Sequence, residues 1–313
     1  MAEDLDIKAG SKSAQQAFHL CLSDGNSWSL TGDPQNAGLV DRLASIMELK
    51  ECASTSSPRF IFSSNGNTKV GSERAINLLV PETSSSRNRN GWHFYDHNTI
   101  RIWHHDDFAD VICEVKVNKG REIELINMWF ALHPVYQLSI SKGGLPFHGG
   151  LVERAGQGFL LVASGGTGKS TCCARLPENW RPLCDDESLV VLTEENKYQA
   201  HPFPTWSDYL WQESDKTWNV EYSVPLQSIF FLEQSEADTV EPLGEGRAAV
   251  LMTESAAQIC EKFWRNLAEE DKKKRRKELF DNACEMVKSI PVYRLKMSLE
   301  GRFWEKMEEV IRF

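Results

Sequence analysis

The sequence predicts an α/β protein of mixed (α+β) type. Three observations indicate this fold: short β-like runs separated by turn residues before residue 120, an apolar strand leading into a glycine-rich loop near residue 164, and charged helical segments near the C-terminus. The chain has 313 residues, of which 41% are hydrophobic and 26% charged, so it is long enough to bury a substantial core in one large domain or two smaller ones.

The N-terminal part, residues 1–120, is predicted to be a β-rich accessory region. Its β-like runs are short and end at clusters of Gly, Asn, Asp and Ser, which are typical turn residues. We place the domain boundary at residue 120, because the sequence changes character over the following two dozen residues. The predicted strands cover residues 18–22, 59–62, 92–95, 99–103 and 111–117.

The second predicted domain covers residues 121–313 and combines helices with strongly apolar strands. Residues 121–137 have apolar side chains at helical spacing, although Pro134 disturbs the second half of this helix. The helices expected near the C-terminus cover residues 253–288 and 299–311. The strands expected between them cover residues 151–152, 159–163, 183–184, 189–192, 227–232 and 291–297.

Charge and composition exclude several classes of protein. The formal net charge of −10 lacks the basic footprint that nucleic-acid binding requires, so no nucleic-acid partner is expected. No apolar run approaches the length of a membrane span, and no membrane partner is expected. The eight cysteines form no CxxC pair, which predicts reduced thiols in a cytoplasmic protein. The basic run at 272–277 has acidic neighbours, which favours a solvated helical face, with a docking surface for an acidic peptide as the alternative.

The glycine-rich loop carries the strongest chemical signal. An apolar strand enters it and a helix leaves it, as in a Walker A phosphate-binding loop, although Ala163 stands where that pattern has its first glycine. The glycines let backbone N–H groups approach a phosphate, Lys169 supplies a charge for the β- and γ-phosphates, and the Ser170 hydroxyl is a ligand for Mg²⁺. We therefore expect ATP and Mg²⁺ as cofactors. The predicted nucleotide-binding residues are Ser164, Gly165, Gly166, Thr167, Gly168, Lys169, Ser170 and Thr171.

An acidic pair follows the loop at short distance. Asp185 comes 16 residues after Lys169, with room for one short helix and a return strand between them. We expect the pair to end the strand next to the phosphate loop. Carboxylates there hold Mg²⁺ or accept a proton from an attacking hydroxyl. We assign Asp185 to the metal together with Ser170, and Asp186 to the base, although the two aspartates could exchange these roles.

Three segments resemble the HPr kinase/phosphorylase and PEP carboxykinase superfamily. They read HGGLVE from residue 148, GFLLVASGGTGKS from residue 158, and LCDD from residue 183. The resemblance implies a mixed β-sheet carrying the phosphate loop and an activity in phosphoryl transfer. It implies that His148 lies near the metal and the γ-phosphate, and that Arg247 points at the transferred phosphate. It also implies a homo-oligomer, although the sequence itself carries no interface signal.

A looser resemblance extends downstream of the acidic pair. The segments VPL from residue 224, IFFL from residue 229 and VEPL from residue 240 resemble the HPr-kinase-like proteins of peptide-modification gene clusters, of the SynChlorMet cassette protein C type. Members of that type are thought to act beside radical-SAM enzymes on a ribosomally made peptide. The resemblance is strong over residues 143–192 and weaker to about residue 265.

The function expected from these observations is ATP- and Mg²⁺-dependent transfer of phosphate to a Ser or Thr hydroxyl of a peptide or protein. The expected catalytic residues are Asp186, His148, Lys169 and Arg247. Two alternatives stay open: a kinase acting on the hydroxyl of a small molecule, and a nucleotide-binding recognition or scaffold subunit of a peptide-modifying complex with little turnover. An aromatic segment with Trp206, Trp211 and Trp218 either lines a substrate pocket or covers the core.

Overall fold

The computed structural model describes residues 16–52, 58–64, 92–105, 110–212, 214–265 and 267–311. Over these ranges the chain forms two mixed β-sheets and several helices, which confirms the predicted α+β class. One sheet is built from strands before residue 116 and the other from strands after residue 144. The proposed domain boundary at residue 120 stays a prediction, since one apolar cluster contains residues of both sheets, among them Phe62 and Leu160.

Among the described residues, seven strands form the first sheet, and helix α1 (Ala37–Ile46) buries Leu39, Val40 and Leu43. All five strands predicted in this region are present, whereas β2, β3 and α1 were not predicted. The strands are β1 (Ala17–Cys21), β2 (Ser27–Gly32), β3 (Lys50–Cys52), β4 (Arg59–Ser63), β5 (Trp92–Asp96), β6 (Ile100–His105) and β7 (Val111–Val115). Their order across the sheet is β3-β1-β2-β4-β7-β6-β5.

Two helices connect the sheets, where the sequence predicted one over residues 121–137. Helix α2 (Arg121–Ala131) and helix α3 (His133–Ser141) are separated by the single residue Leu132. Pro134 is the second residue of α3, a position at which the missing N–H costs no helical hydrogen bond. The proline therefore starts a second helix instead of distorting the first.

The second sheet carries the glycine-rich loop. Between its strands lie two short helices, α4 (Lys169–Arg175) and α5 (Trp206–Trp211). Its strands are β8 (Leu145–Arg154), β9 (Gln157–Val162), β10 (Arg181–Cys184), β11 (Glu187–Leu192), β12 (Tyr198–Phe203), β13 (Val224–Gln234), β14 (Thr239–Pro242) and β15 (Val292–Met297). The order is β10-β8-β11-β12-β13-β15-β14, and β9 pairs with both β8 and β13.

The acidic pair does not lie at the predicted place in the sheet, because the long strand β8 separates β10 from β9. Its first half pairs with β11, and its second half pairs with β10 on one side and β9 on the other. The pair Asp185 and Asp186 follows β10, so its strand neighbours β8 and not β9, and the expectation of direct adjacency to the loop strand was wrong. β8 instead lies between the two and brings His148 to the same end of the sheet.

The C-terminal helices differ in their bounds from the predicted 253–288 segment. Helix α6 (Glu245–Cys260) begins earlier, a 3-10 turn follows at Glu261–Trp264, and α7 (Glu269–Met286) begins after an extended residue, Ala268. The turn buries Phe263 and Trp264, which gives the physical reason for the break. Helix α8 (Phe303–Val310) confirms the predicted closing helix.

The basic run on α7 forms a solvated face, as predicted. Lys272 pairs with Glu269, and Lys277 pairs with Asp281, both within the helix. All eight cysteines lie in the described ranges as free thiols, and five of them are buried. Within the same ranges, no helix combines the length and apolar character needed to cross a bilayer.

Candidate functional site

The glycine-rich loop leaves β9 and enters α4 with an open backbone face. Gly166 and Gly168 have φ angles of 79° and 107°, which side-chain-bearing residues rarely adopt. A Cβ atom added at Gly165, Gly166 or Gly168 would meet nothing within 4 Å. The positive φ angles therefore explain Gly166 and Gly168, and close packing explains none of the three glycines. The side chain of Gln234 fastens the loop to β13 by donating to the Thr167 carbonyl at 3.1 Å.

Lys169 is the first residue of α4 and turns back under the loop. It is only 6% exposed, and its Nζ donates to the Ala163 carbonyl at 3.1 Å. The same Nζ lies 3.0 Å from His148 Nε2 and 3.8 Å from Asp186 Oδ1. Burial lowers the pKa of Lys169, while the charges of Asp186 and Asp185 oppose that shift. The structure thus brings together three of the four predicted catalytic residues.

His148 is held in place by helix α6. Its backbone N–H donates to Ser255 Oγ at 3.0 Å, and its ring Nδ1 lies 2.6 Å from Gln258 Oε1. The two glycines after it allow close packing at this point. A Cβ at Gly150 would lie 2.8 Å from the Cys173 sulfur and 3.1 Å from a backbone carbonyl of β10. The His-Gly-Gly sequence therefore lets β8 approach α4 and the acidic turn closely.

Asp186 faces two cationic or protonatable groups. Its Oδ1 lies 3.0 Å from His148 Nε2, which is also the nitrogen nearest to Lys169. Burial pushes the pKa of Asp186 upwards, but the hydrogen bond from His148 and the charges of His148 and Lys169 outweigh it and leave the pKa below its usual value. One ring nitrogen cannot both accept from Lys169 and donate to Asp186, so the three groups compete for the same protons.

Asp185 points to a different partner than Asp186 does. Its Oδ1 accepts a hydrogen bond of 2.7 Å from Thr205 Oγ1, directly before α5. Adjacent residues on a turn can direct their side chains apart, and here one carboxylate faces Lys169 while the other is tied to α5. The two aspartates are therefore in position for separate roles.

The structure adds three polar residues near Asp186 to which the sequence assigned no role: Tyr136, Glu187 and Lys262. Glu187 is 3% exposed and accepts a hydrogen bond from the Tyr136 hydroxyl. The Nζ of Lys262, in the 3-10 turn, lies 3.8 Å from Glu187 Oε2 and 3.5 Å from the centre of the Trp129 ring. Burial lowers the pKa of Lys262 to about 8, although Glu187 acts to raise it.

This largely buried ion pair, with the Lys262 side chain 13% and the Glu187 side chain 4% exposed, holds the residue that directly follows the acidic pair. Because Glu187 is fixed to Tyr136 and Lys262, the residue before it is directed towards His148 and Lys169. The signal in the sequence was the third acidic residue of the run Asp185-Asp186-Glu187. Its partners come from positions 51 residues before and 75 residues after it, which no local pattern reveals.

The remaining predicted residues lie in the glycine-rich loop, at the start of α4 and, for Arg247, on α6. Ser164, Gly165, Gly166, Ser170 and Thr171 are exposed, whereas Thr167 and Gly168 are half-buried. Arg247 is exposed in the first turn of α6, about 12 Å along the helix axis from Ser255. Among the contacts that the structure describes, none joins Arg247 to Lys169, His148 or Asp186, and its predicted role stays a prediction.

A metal ion would find oxygen donors at this site but no complete protein cage. The described ranges contain no group of three His, Cys, Asp or Glu side chains able to hold a metal. Mg²⁺ is commonly held by one or two carboxylates, with substrate phosphates and water completing its six ligands. Asp185, Asp186 and the Ser170 hydroxyl match that partial donor set in kind.

Comparison with known proteins identifies a family that the chain matches. No curated protein matches the chain. A family model described as SynChlorMet cassette protein ScmC matches residues 111–312, which is more than half of the chain. The match extends well beyond the resemblance found in the sequence, from strand β7 of the first sheet to the end of α8. The chain therefore belongs to the SynChlorMet cassette protein ScmC family.

Proposed function

We propose that this protein is an ATP- and Mg²⁺-dependent kinase that phosphorylates a Ser or Thr hydroxyl of a peptide or protein. The observation that carries the proposal is the cluster of Lys169, His148 and Asp186 beneath an open glycine loop. Structural ion pairs do not require an unobstructed backbone beside them, whereas a phosphate site requires both the free backbone and the lysine. The resemblance to HPr-kinase-like proteins supports the same chemistry.

Lys169 and Asp186 share one ring nitrogen of His148, so a movement of Lys169 affects Asp186. A bound phosphate attracts the Lys169 ammonium more strongly than the neutral lone pair of His148 does. Once Lys169 turns to the phosphate, its ammonium no longer competes for His148 Nε2, and that nitrogen donates to Asp186 in the protonation state that places a proton on it. Nucleotide binding and the orientation of Asp186 are coupled in this way through one ring nitrogen.

Asp186 then acts as the base for the acceptor hydroxyl. Its lowered pKa keeps it ionised at neutral pH, so it can take the proton as the hydroxyl oxygen bonds to the γ-phosphorus. The bond between that phosphorus and the β–γ bridging oxygen breaks, and its electron pair leaves with ADP. Lys169 and the loop N–H groups stabilise the charge on the phosphates during transfer.

Mg²⁺ fits the oxygen donors of the site. Asp185 and Ser170 would hold it, and when bound it supplies neutralisation of phosphate charge. The Thr205 hydroxyl orients Asp185 by donating to one carboxylate oxygen. Asp186 would not be a metal ligand in this arrangement, because its carboxylate faces His148 and Lys169.

The family name describes a cassette protein, from which we infer that the chain works beside other proteins of the same cassette. An acceptor that is itself a peptide suits this setting. A small-molecule acceptor would give the same transfer chemistry, and mass addition to a peptide or to a metabolite separates the two.

The test is nucleotide binding by wild type and a Lys169→Ala variant, measured by calorimetry and thermal unfolding. A ligand that binds only the folded state, at ~100 times its Kd, adds about 2.7 kcal/mol of stability. We expect this gain with MgATP in wild type and in a Lys197→Ala control, whose lysine is 69% exposed. We expect no gain in Lys169→Ala. An equal gain in all three proteins, or none in wild type, would overturn the proposal.

A further inference from the structure

Helix α6 contacts His148 at two points, its backbone and its ring. Ser255 Oγ accepts a hydrogen bond of 3.0 Å from the His148 backbone N–H, and Gln258 Oε1 lies 2.6 Å from the ring nitrogen Nδ1. Ser255 and Gln258 are three positions apart, so they lie on the same face of the helix. Ser255 therefore places the backbone of His148, and Gln258 contacts the ring itself.

The contact with Gln258 indicates where the ring carries a proton. A neutral imidazole has one N–H group and one lone pair, whereas a protonated imidazole has two N–H groups. An amide oxygen accepts hydrogen bonds and donates none. The position of Gln258 Oε1 at Nδ1 of His148 therefore requires a proton on that nitrogen.

The groups at the other ring nitrogen of His148 lead to the same assignment. Lys169 Nζ lies 3.0 Å from Nε2 and is a donor only, which requires a lone pair on Nε2 and, in the neutral ring, a proton on Nδ1. Asp186 Oδ1, also 3.0 Å from Nε2, is an acceptor and requires a proton there. Together with Gln258 that proton makes the ring an imidazolium. Both of these forms carry the Nδ1 proton, and they differ only at Nε2.

The third form of the ring, neutral with its proton on Nε2, fits Asp186 alone. It would direct a lone pair at the Gln258 oxygen and an N–H group at the Lys169 ammonium. A reversed Gln258 amide, with its NH₂ group at Nδ1, would remove the first conflict and leave the second. The contacts at both nitrogens thus favour the two forms in which Nδ1 is protonated.

We propose that Gln258 is a positioning residue that keeps a proton on His148 Nδ1 and so leaves Nε2 as the nitrogen that serves Lys169 and Asp186. This inference deepens the proposed function and rests on it for the reaction itself. With Nδ1 occupied, the Nε2 lone pair accepts from Lys169 until a phosphate draws the ammonium away. A proton that the ring takes up then goes to Nε2, where it forms a charge-assisted hydrogen bond to Asp186.

The experiment observes the ring nitrogens of His148 by ¹⁵N NMR in the whole chain without nucleotide, at about pH 8, where an unperturbed imidazole is neutral. A protonated nitrogen and one with a lone pair resonate far apart, and the stronger coupling to Hδ2 identifies Nε2. The chain has eight histidines, and the signals missing from a His148→Gln variant are those of His148.

Three variants are compared with wild type. Gln258→Leu removes the acceptor, and Gln258→Glu keeps an acceptor of the same length. Glu254→Leu is the matched control, because Glu254 is an exposed residue one turn earlier on α6. Gln258 is itself exposed, so its substitution leaves the core intact.

We expect a proton on Nδ1 in wild type, Gln258→Glu and Glu254→Leu, and a shift of Gln258→Leu towards the form with its proton on Nε2. In phosphate transfer, Gln258→Leu should lower kcat by about 10- to 100-fold, the cost typical of removing a group that orients a metal-binding histidine, and should change the KM for MgATP less. Gln258→Glu should restore most of this loss. A lone pair on Nδ1 in wild type, an unchanged Nδ1 signal in Gln258→Leu, or an unchanged kcat in that variant would overturn the inference.

The NMR measurement separates this inference from the kinase proposal, because it requires no nucleotide. If Nδ1 responds to Gln258→Leu as expected but wild type neither binds MgATP nor transfers phosphate, the kinase function fails and Gln258 still sets the proton position. If wild type transfers phosphate and Nδ1 does not respond, the role of Gln258 fails and the kinase function stands.

Discussion

Two histidines of this protein lie in opposite settings, one among polar and charged side chains and the other among aromatic rings. His148 has a polar neighbour at each ring nitrogen, namely Gln258 on one side and Lys169 with Asp186 on the other. His133 is completely buried, and neither ring nitrogen has a hydrogen-bond partner among the described residues.

The second setting is aromatic. His133 stacks on Phe263 at 4.4 Å and meets the edge of Tyr95 at 4.1 Å, while His97 stacks on Phe130 at 4.1 Å. Burial lowers the pKa of His97 to about 4 and that of His133 well below its usual range. Burial is the main cause of both lowered pKa values, and nearby positive charges add to it, whereas His148 lies among polar and charged groups beside the glycine-rich loop.

Substitution of Asp186 is expected to have the largest effect. Asp186→Asn keeps the size of the side chain but removes the base, so phosphoryl transfer should fall by about 10²–10⁴. MgATP affinity should change far less. The measurement is transfer of labelled phosphate to a serine peptide, with Glu195→Gln as control, since Glu195 is 74% exposed. Loss of nucleotide binding in Asp186→Asn would contradict the base assignment.

Substitution of Lys262 tests whether a buried ion pair anchors the acidic turn. Lys262→Met leaves Glu187 charged and without its cation, which should lower the free energy of unfolding by about 3–5 kcal/mol. The double variant Lys262→Met/Glu187→Gln should recover much of that loss, because a neutral amide can still accept from Tyr136. Chemical denaturation measures both. A loss below about 1 kcal/mol in the single variant would show that the pair does not anchor the turn.

This ion pair also marks the limit of what the sequence could predict. The glycine loop, the lysine and the acidic residues lie close together in the chain, and the strand before and helix after them follow from local pattern. Tyr136 and Lys262 could not be predicted, because each lies far from Glu187 in the chain and contacts it only when α3 and the 3-10 turn pack near the acidic turn. The sequence also did not place β8 between β9 and β10, because this strand order follows from pairing in the folded sheet and not from local pattern.

Acid should destabilise the protein through the histidines that stay neutral when folded. Above pH 6.5 His133 is neutral in both states, and below it only the unfolded chain takes up the proton. Each such histidine then costs about 1.4 kcal/mol of stability per pH unit, until the pH reaches the pKa of the folded state. For His97 this window extends from 6.5 to about 4.

Two matched variants separate burial from hydrogen bonding. His133→Phe should flatten the acid slope at little cost near pH 7.5, because it removes two unpartnered nitrogens. His201 is also buried, with its pKa lowered to about 4, but Nδ1 donates to the Val220 carbonyl and Nε2 accepts from the Ser23 N–H. His201→Phe should flatten the slope and also cost about 1–3 kcal/mol at pH 7.5. Equal costs for both variants would contradict the comparison.

The exposed pair Lys277–Asp281 on α7 should have the smallest effect. It joins the same two types of group as Lys262 and Glu187, at 2.5 Å, but its lysine is 73% exposed. Water screens both charges, and the lysine precedes the carboxylate, the less favourable order along a helix. Lys277→Ala should therefore change the free energy of unfolding by less than about 0.5 kcal/mol, measured by urea denaturation. A loss comparable to that of Lys262→Met would mean that burial is not what makes the Glu187 pair an anchor.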